Sequence, residues 1–166
     1  MPEKPVAPGF TLRHPQPGDM GWVVQSHGEL YAREYGWNSN FEALIAEIVA
    51  AFLRHHDPAR ERCWIAESNG IRAGSVFLVQ QSPEVAKLRL LLVDPIARGT
   101  GLGRHLVREC IAFARDAGYR TLTLWTNDVL TAARHIYATE GFRIVATERN
   151  VEFGPETIAE TWELAL

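Results

Sequence analysis

The segment Arg98-Gly99-Thr100-Gly101-Leu102-Gly103 separates a leucine-rich apolar run from a strongly helical stretch. Glycine lets the backbone approach a ligand closely, and the first amides of a helix have no partners within the helix. A glycine turn that opens a helix is therefore suited to binding an anion. Arg98 and Arg104 add positive charge on either side. The segment predicts an anion-binding turn, with a plain connecting loop as the alternative.

Two familiar phosphate-binding turns do not fit the spacing of these glycines. The dinucleotide fingerprint requires glycines at its first, third and sixth positions. Counted from Gly99 the sixth position is Arg104, and counted from Gly101 it is Leu106. The ATP-type loop requires Gly-Lys followed by Ser or Thr, and the sequence contains no such triplet. Both kinds of site are excluded.

The hydrophobic pattern around the turn predicts a mixed α/β (α+β) domain. Lys87–Val93 has the apolar character of a central strand, and the apolar stripe after the turn is that of an amphipathic helix. The whole order is strand, two helices, three strands, helix, strand, helix and two strands, which indicates one central sheet. The second helix is expected to begin at a capping box of Ser39 and Glu42.

Domain boundaries follow from composition. Residues 1–9 contain three prolines and are predicted to be a disordered lead-in, whereas residues 10–166 form a single domain. No apolar run approaches the roughly 20 residues of a membrane span. Two cysteines without a signal peptide indicate a reducing, cytoplasmic setting.

Charge and histidine spacing exclude two further classes of function. Seventeen Lys and Arg against 20 Asp and Glu leave no basic surplus for a nucleic acid. His55 and His56 are adjacent and diverge on a helix, and no histidine pair is spaced four residues apart with an acidic partner, so no metal site is expected.

The glycine segment also matches the Arg/Gln-x-x-Gly-x-Gly/Ala signature, and the sequence resembles the GNAT superfamily of N-acetyltransferases over residues 10–166. Leu90–Pro95 looks like the family's strand before the loop, and Asn127, Tyr137 and Gly141-Phe142 resemble its second signature. The resemblance implies a central, mostly antiparallel sheet, splayed at the strand before the loop and flanked by helices. A narrower likeness is to the acetyltransferase half of bacterial proteins fused to a MarR-type regulator.

The resemblance implies that the protein transfers an acetyl group from acetyl-CoA to a primary amine of a small molecule, peptide or protein. Tyr137 would protonate the leaving thiolate, although a tyrosine there could also be a core residue. Asn127 would bind the pantetheine arm or the helix of Tyr137, with a turn cap as the alternative. The other residues implied to bind acetyl-CoA are Leu92, Val93, Arg98, Gly99, Thr100, Gly101, Leu102, Gly103 and Arg104.

The base and the acceptor are less well defined. Lys87 stands where the family often has a carboxylate, which favours a second hypothesis of a non-catalytic acyl-CoA-binding regulatory module. Glu34, Glu67 and Asp128 are candidate bases through water. Aromatic residues in 30–40 and a loop predicted over 148–157 are the candidate acceptor regions, and a homodimer is compatible with the resemblance.

Overall fold

The computed structural model describes residues 4–5 and 9–166, and the elements within residues 10–166 follow the predicted order. The predicted lead-in, residues 1–9, lies mostly outside the described residues. The strands are β1 (Lys4–Pro5), β2 (Thr11–Arg13), β3 (Arg62–Ser68), β4 (Ile71–Gln80), β5 (Val85–Val93), β6 (Thr121–Asn127), β7 (Arg143–Asn150) and β8 (Thr157–Ala165). The helices are α1 (Asp19–Tyr35), α2 (Ser39–His55), α3 (Leu102–Asp116) and α4 (Thr131–Thr139).

The described strands form one sheet in the order β1-β2-β3-β4-β5-β6-β8-β7. Strands β5 and β6 pair in parallel, and the other neighbours pair antiparallel. The sheet is therefore mixed, and the prediction of a mostly antiparallel sheet did not specify this parallel pair. Parallel pairing follows from the connection, because α3 carries the chain back along the sheet before β6 begins.

Helices cover both faces of the sheet because alternate strand residues point to opposite sides. On one face, Ile65 and Phe77 pack in a core cluster with residues of α1 and α2 such as Val23 and Ile45. On the other face, Val76 and the neighbouring strands pack against α3 and α4. Strands β4 and β5 are thus covered on both sides, which agrees with the apolar character of Lys87–Val93.

The start of α2 corrects one local prediction. Asn38, not Ser39, is the capping residue: its backbone is extended and its side-chain oxygen accepts a hydrogen bond of 3.0 Å from the Asn40 amide. Ser39 is already the first helical residue. Asparagine and serine both cap helices well, so composition alone could not decide between neighbouring positions.

Among the described residues, no helix combines the length and the apolar character that a membrane span requires.

Candidate active site

The glycine turn is shaped by two residues that adopt left-handed backbone conformations. Gly99 has φ of +76° and Gly101, which precedes α3, has φ of +84°, a region that only glycine enters at little cost. Thr100 holds the turn, since its hydroxyl donates to the Ala97 carbonyl at 2.5 Å and accepts from the Leu102 amide at 3.4 Å. No side chain caps α3 at Gly101. Apart from this long bond from Leu102, no side-chain cap occupies the first amides of α3, which can donate to an external acceptor.

Gly103 and Leu102 serve the packing beneath the turn. A Cβ atom on Gly103 would lie 2.9 Å from Ile136 Cδ1 and 3.3 Å from Val93 Cγ2, so glycine allows α3, α4 and β5 to approach closely. Leu102 is buried in the core cluster. Their contribution to a bound anion can only come from the backbone.

Both arginines beside the turn are ion-paired. Arg98 pairs with Glu34 of α1 at 2.5 Å, and Arg104 pairs with Glu140 at 2.6 Å. Burial opposes the charge of Glu140, but hydrogen bonds from Arg104 and Arg108 outweigh it and lower the pKa of this carboxyl. Both arginines remain close to the turn, with part of their charge compensated.

Strand β5 is interrupted by a bulge directly before the turn. Its pairing with β4 shifts between Ser75 and Phe77, and Leu90 has φ of +53°, which is rare for a residue with a side chain. The parallel pairing with β6 ends at Leu88, although both strands continue. Backbone groups of the bulge are therefore outside the regular ladder.

A cavity of about 410 Å³ opens at this bulge, between the ends of β5 and β6 and the helices α1, α2 and α4. Its wall includes Leu90 and Leu91, but neither Leu92 nor Val93, which pair with β4. Much of the rest of the wall is apolar or aromatic, including Tyr31, Trp37, Phe41, Leu44, Trp125 and Leu130. The space can hold a small organic group.

Tyr137 and Asn127 both line this cavity. Tyr137 is buried, its ring contacts Phe142 and Trp162, and its hydroxyl has no hydrogen-bond partner within residues 4–5 and 9–166. Burial raises the pKa of the Tyr137 hydroxyl well above its usual value. Asn127 is buried at the end of β6, where its side-chain oxygen accepts from the Thr157 hydroxyl at 2.7 Å. Its side chain thus joins two strands.

The three carboxylates predicted as bases lie elsewhere. Glu34 pairs with Arg98, Glu67 pairs with Arg13, and Asp128 accepts from the Ile158 amide. None of them lines the cavity, whereas Glu148 and Glu152 do. Glu148 belongs to β7 rather than to the loop predicted there, because β7 extends to Asn150. The sequence placed both glutamates in the candidate acceptor region but gave no reason to single them out.

His27 of α1 is a further wall residue, which the sequence did not single out as part of the site. It is 1% exposed, and its Nδ1 lies 2.7 Å from the Val23 carbonyl, which fixes the proton on Nδ1. Its Nε2 is buried without a hydrogen-bond partner in the described part of the chain. Burial lowers the pKa of His27 to about 4, so the ring is neutral near pH 7.

No group of three His, Cys, Asp or Glu residues in the described ranges is arranged to hold a metal ion.

Comparison with known proteins adds to this geometry. Residues 24–142 match the model of the acetyltransferase (GNAT) family. Mycothiol acetyltransferase of Cellulomonas flavigena is 36% identical over 101 residues, which cover 55% of the chain and 28% of that protein. N-acetyltransferase 8B of Homo sapiens is 36% identical over 85 residues, which cover 48% of the chain and 37% of that protein. The chain thus spans less than half the length of these relatives.

Solved structures share the fold over nearly the whole chain. The GCN5-related N-acetyltransferase of Kribbella flavida superimposes with a TM-score of 0.76 at 20% identity, covering 95% of the chain and 98% of that protein. yncA of Salmonella typhimurium, solved with its cofactor acetyl-CoA, gives a TM-score of 0.75 at 20% identity over 95% and 94% of the two chains.

Proposed function

Because the chain belongs to the acetyltransferase (GNAT) family, we propose that it transfers the acetyl group of acetyl-CoA to a primary amine. One structural observation carries the proposal: the bulge of β5 and the buried Tyr137 line the same cavity, and β5 leads along the chain to the glycine turn that opens α3. From the turn to the cavity, this is the order in which a diphosphate, a pantetheine arm and a thioester would lie along one extended molecule.

We assign the diphosphate of acetyl-CoA to the turn over residues 98–104. The backbone amides from Gly99 to Arg104 would donate to the phosphate oxygens, and the positive end of the α3 dipole would add to the attraction. Arg98 and Arg104 would exchange part of their contact with Glu34 and Glu140 for the phosphates.

The pantetheine arm would lie along β5, where pairing between β5 and β6 has ended. We propose that the two strands splay apart there, and that backbone groups of residues 90–93 pair with the arm and polarise the thioester carbonyl. The bulge at Leu90 supports this placement, since it takes residues 90 and 91 out of the regular ladder with β4, where the Leu90 carbonyl keeps only a long bond of 3.4 Å from the Ser75 hydroxyl. Asn127, at the end of the facing strand, supports it from the other side.

The chemistry requires a neutral amine and a protonated leaving group. The amine nitrogen attacks the thioester carbon, the carbon–sulfur bond then breaks, and the products are an N-acetyl amine and coenzyme A. Water at the cavity rim, ordered by the exposed Glu148 and Glu152, would accept the proton of the ammonium.

Tyr137 would give its proton to the departing sulfur and regain one, through water in the cavity, as the attacking nitrogen loses its second proton on forming the amide. The raised pKa keeps its hydroxyl protonated over the working pH range, which is the form a donor must have. The same burial would penalise a bare thiolate, so protonation of sulfur is most useful in this place.

Replacement of Tyr137 by phenylalanine tests the proposal. The variant keeps the ring contacts with Phe142 and Trp162 but loses the proton donor. In an assay of acetyl-CoA-dependent thiol release with a panel of amines, confirmed by mass spectrometry of the N-acetyl product, we expect kcat to fall by about 10²-fold or more while the Kd for acetyl-CoA is unchanged.

Tyr119→Phe is the matched control. Its hydroxyl donates to the Arg60 carbonyl outside the cavity, so kcat should stay near the wild-type value. Equal kcat in wild type and Tyr137→Phe would contradict the role of Tyr137. Binding of acetyl-CoA without turnover of any amine would instead support the regulatory module and refute the proposed reaction.

A further inference from the structure

We propose that the amine acceptor also carries a carboxylate, which binds to Lys87 and Arg89 in the wall of the cavity. The proposal rests on the proposed acetyl transfer and names the chemical class of its acceptor, an amino-carboxylate with an apolar substituent.

Lys87 and Arg89 lack the ion pairs that several other cations near the core make. Lys87 and Arg89 are partly buried, and neither makes an ion pair or a hydrogen bond with any residue that the structure describes. By contrast, Arg13, Arg72 and Arg134 each hold a buried carboxylate. Partly buried charge without a partner costs free energy, which an anionic ligand would recover.

Their mutual position suits one anion. Residues two apart on a strand point to the same side, so both head groups can reach a single carboxylate. Burial lowers the pKa of Arg89, and burial together with the charge of Arg89 lowers the pKa of Lys87. A bound carboxylate would relieve both effects.

The distance along β5 separates this pair from the cofactor's diphosphate. Lys87 precedes Val93, the end of β5, by six residues, which corresponds to about 20 Å of extended strand. Arg89 adjoins Leu90, and Lys87 lies three residues, about 10 Å, before it. The cations therefore lie on the acceptor side of the bulge, within reach of a carboxylate a few bonds from the reacting amine.

The rest of the wall matches the other parts of such an acceptor. Glu148 and Glu152 lie at the exposed rim and attract an ammonium group, and Trp37, Phe41 and Trp125 provide an apolar surface. A smaller hollow of about 180 Å³, lined by Gln80 and Gln81 among others, shares Lys87 and Arg89 with the main cavity.

Three probes that differ only at the carboxylate test the proposal: L-phenylalanine, L-phenylalaninamide and phenethylamine. With wild-type protein and saturating acetyl-CoA, we expect kcat/KM for the acid to exceed that for the amide by about tenfold or more, the value of one or two charge-assisted hydrogen bonds. The amine of the amide is the weaker base and loses its proton more easily, so amine basicity cannot produce this preference.

Lys87→Met combined with Arg89→Met should lower the acid-to-amide ratio by about the same factor. Arg143→Met, an exposed cation of β7 outside the cavity, should leave the ratio unchanged. Thermal melts would confirm that the double variant folds, which is expected because no ion pair in the described residues is broken. A wild-type enzyme that acetylates the amide or phenethylamine as well as the acid, once each kcat/KM is corrected to the concentration of neutral amine, would overturn the inference and leave the acetyl transfer standing. So would an acid-to-amide ratio that survives the double substitution.

If none of the three probes is acetylated, the comparison moves to binding. Calorimetry on protein loaded with coenzyme A should then show the acid binding about tenfold more tightly than the amide. Equal affinities would refute the carboxylate site.

Discussion

The buried histidine in the cavity wall should make the stability of the protein depend on pH. In the native state His27 has a pKa of about 4, lowered by burial from an ordinary value of 6.5. After unfolding the ring is in water and takes up a proton below pH 6.5. Between pH 6.5 and 4 the unfolded state therefore binds more protons than the native state, and the free energy of unfolding falls as the pH falls.

The magnitude follows from the difference between the two pKa values. At about 1.4 kcal/mol per pKa unit, full protonation would remove about 3 kcal/mol of stability, a large part of the total for an ordinary domain. Most of this loss occurs across the window from pH 6.5 to 4. Asp19 also has a shifted pKa, but it affects stability only at lower pH. Burial opposes its charge, but hydrogen bonds from Arg13 and Arg72 hold its pKa at about 2, so its contribution is lost only as the pH falls from 3.8 to 2.

Substitution of His27 by leucine isolates the effect. Leucine fills a similar space beside Tyr31 and Phe41 and removes the unpartnered Nε2 atom. Urea unfolding followed by tryptophan fluorescence at pH 7.5, 6.5, 5.5 and 4.5 should show wild type losing about 2 to 3 kcal/mol more than the variant across the series. His55→Leu, at an exposed position of α2, should follow the wild-type curve. Parallel curves for wild type and His27→Leu would refute the buried neutral histidine.

Three further changes test other parts of the site. Gly101→Ala forces a side chain into φ of +84°, so it should lower the free energy of unfolding by about 1 to 2 kcal/mol and weaken acetyl-CoA binding. As its control, Gly21→Ala, in an open part of α1, should raise the free energy of unfolding by about 0.5 to 1 kcal/mol. Thr157→Val removes the shortest hydrogen bond to the Asn127 side-chain oxygen and should lower the free energy of unfolding, measured in urea, by about 1 to 2 kcal/mol. An unchanged free energy of unfolding would show that this bond does not contribute to stability. The double variant Glu148→Gln, Glu152→Gln should lower kcat/KM at pH 7 by about tenfold or more, and kcat/KM should recover at higher pH, where the free amine is abundant. Glu163→Gln, exposed on β8, should leave kcat/KM unchanged. An unchanged kcat/KM in the double variant would show that the rim carboxylates do not help to deprotonate the amine.

The glycine turn could be predicted from the sequence because it depends on local backbone geometry. The spacing of Gly99, Gly101 and Gly103 requires a tight turn at the start of a helix, and two of the three glycines do adopt a positive φ. The apolar period of α3 and the leucine-rich character of β5 placed that turn between the correct elements. Such features involve residues close in sequence, so a pattern can reveal them.

The wall of the cavity could not be predicted in the same way because it is assembled from distant segments. His27, Arg89 and Glu148 lie on α1, β5 and β7 and meet only when the sheet is complete. Glu34 and Glu67 were reasonable candidate bases by type, but ion pairs with Arg98 and Arg13 engage them elsewhere. The helix between β5 and β6 allows these strands to pair in parallel, but which strands become neighbours is a property of the whole topology.

The central claim is that the turn over residues 98–104 binds the diphosphate of acetyl-CoA and so positions the thioester in the cavity beside Tyr137. Calorimetric titration of the wild-type protein with acetyl-CoA and with acetyl-pantetheine, which lacks the diphosphate and the phosphorylated adenosine attached to it, tests it most directly. We expect acetyl-CoA to bind at least about a hundredfold more tightly, since several charge-assisted hydrogen bonds from backbone amides are lost with the diphosphate. Equal affinities for the two ligands would show that the glycine turn does not bind the cofactor and would contradict the account.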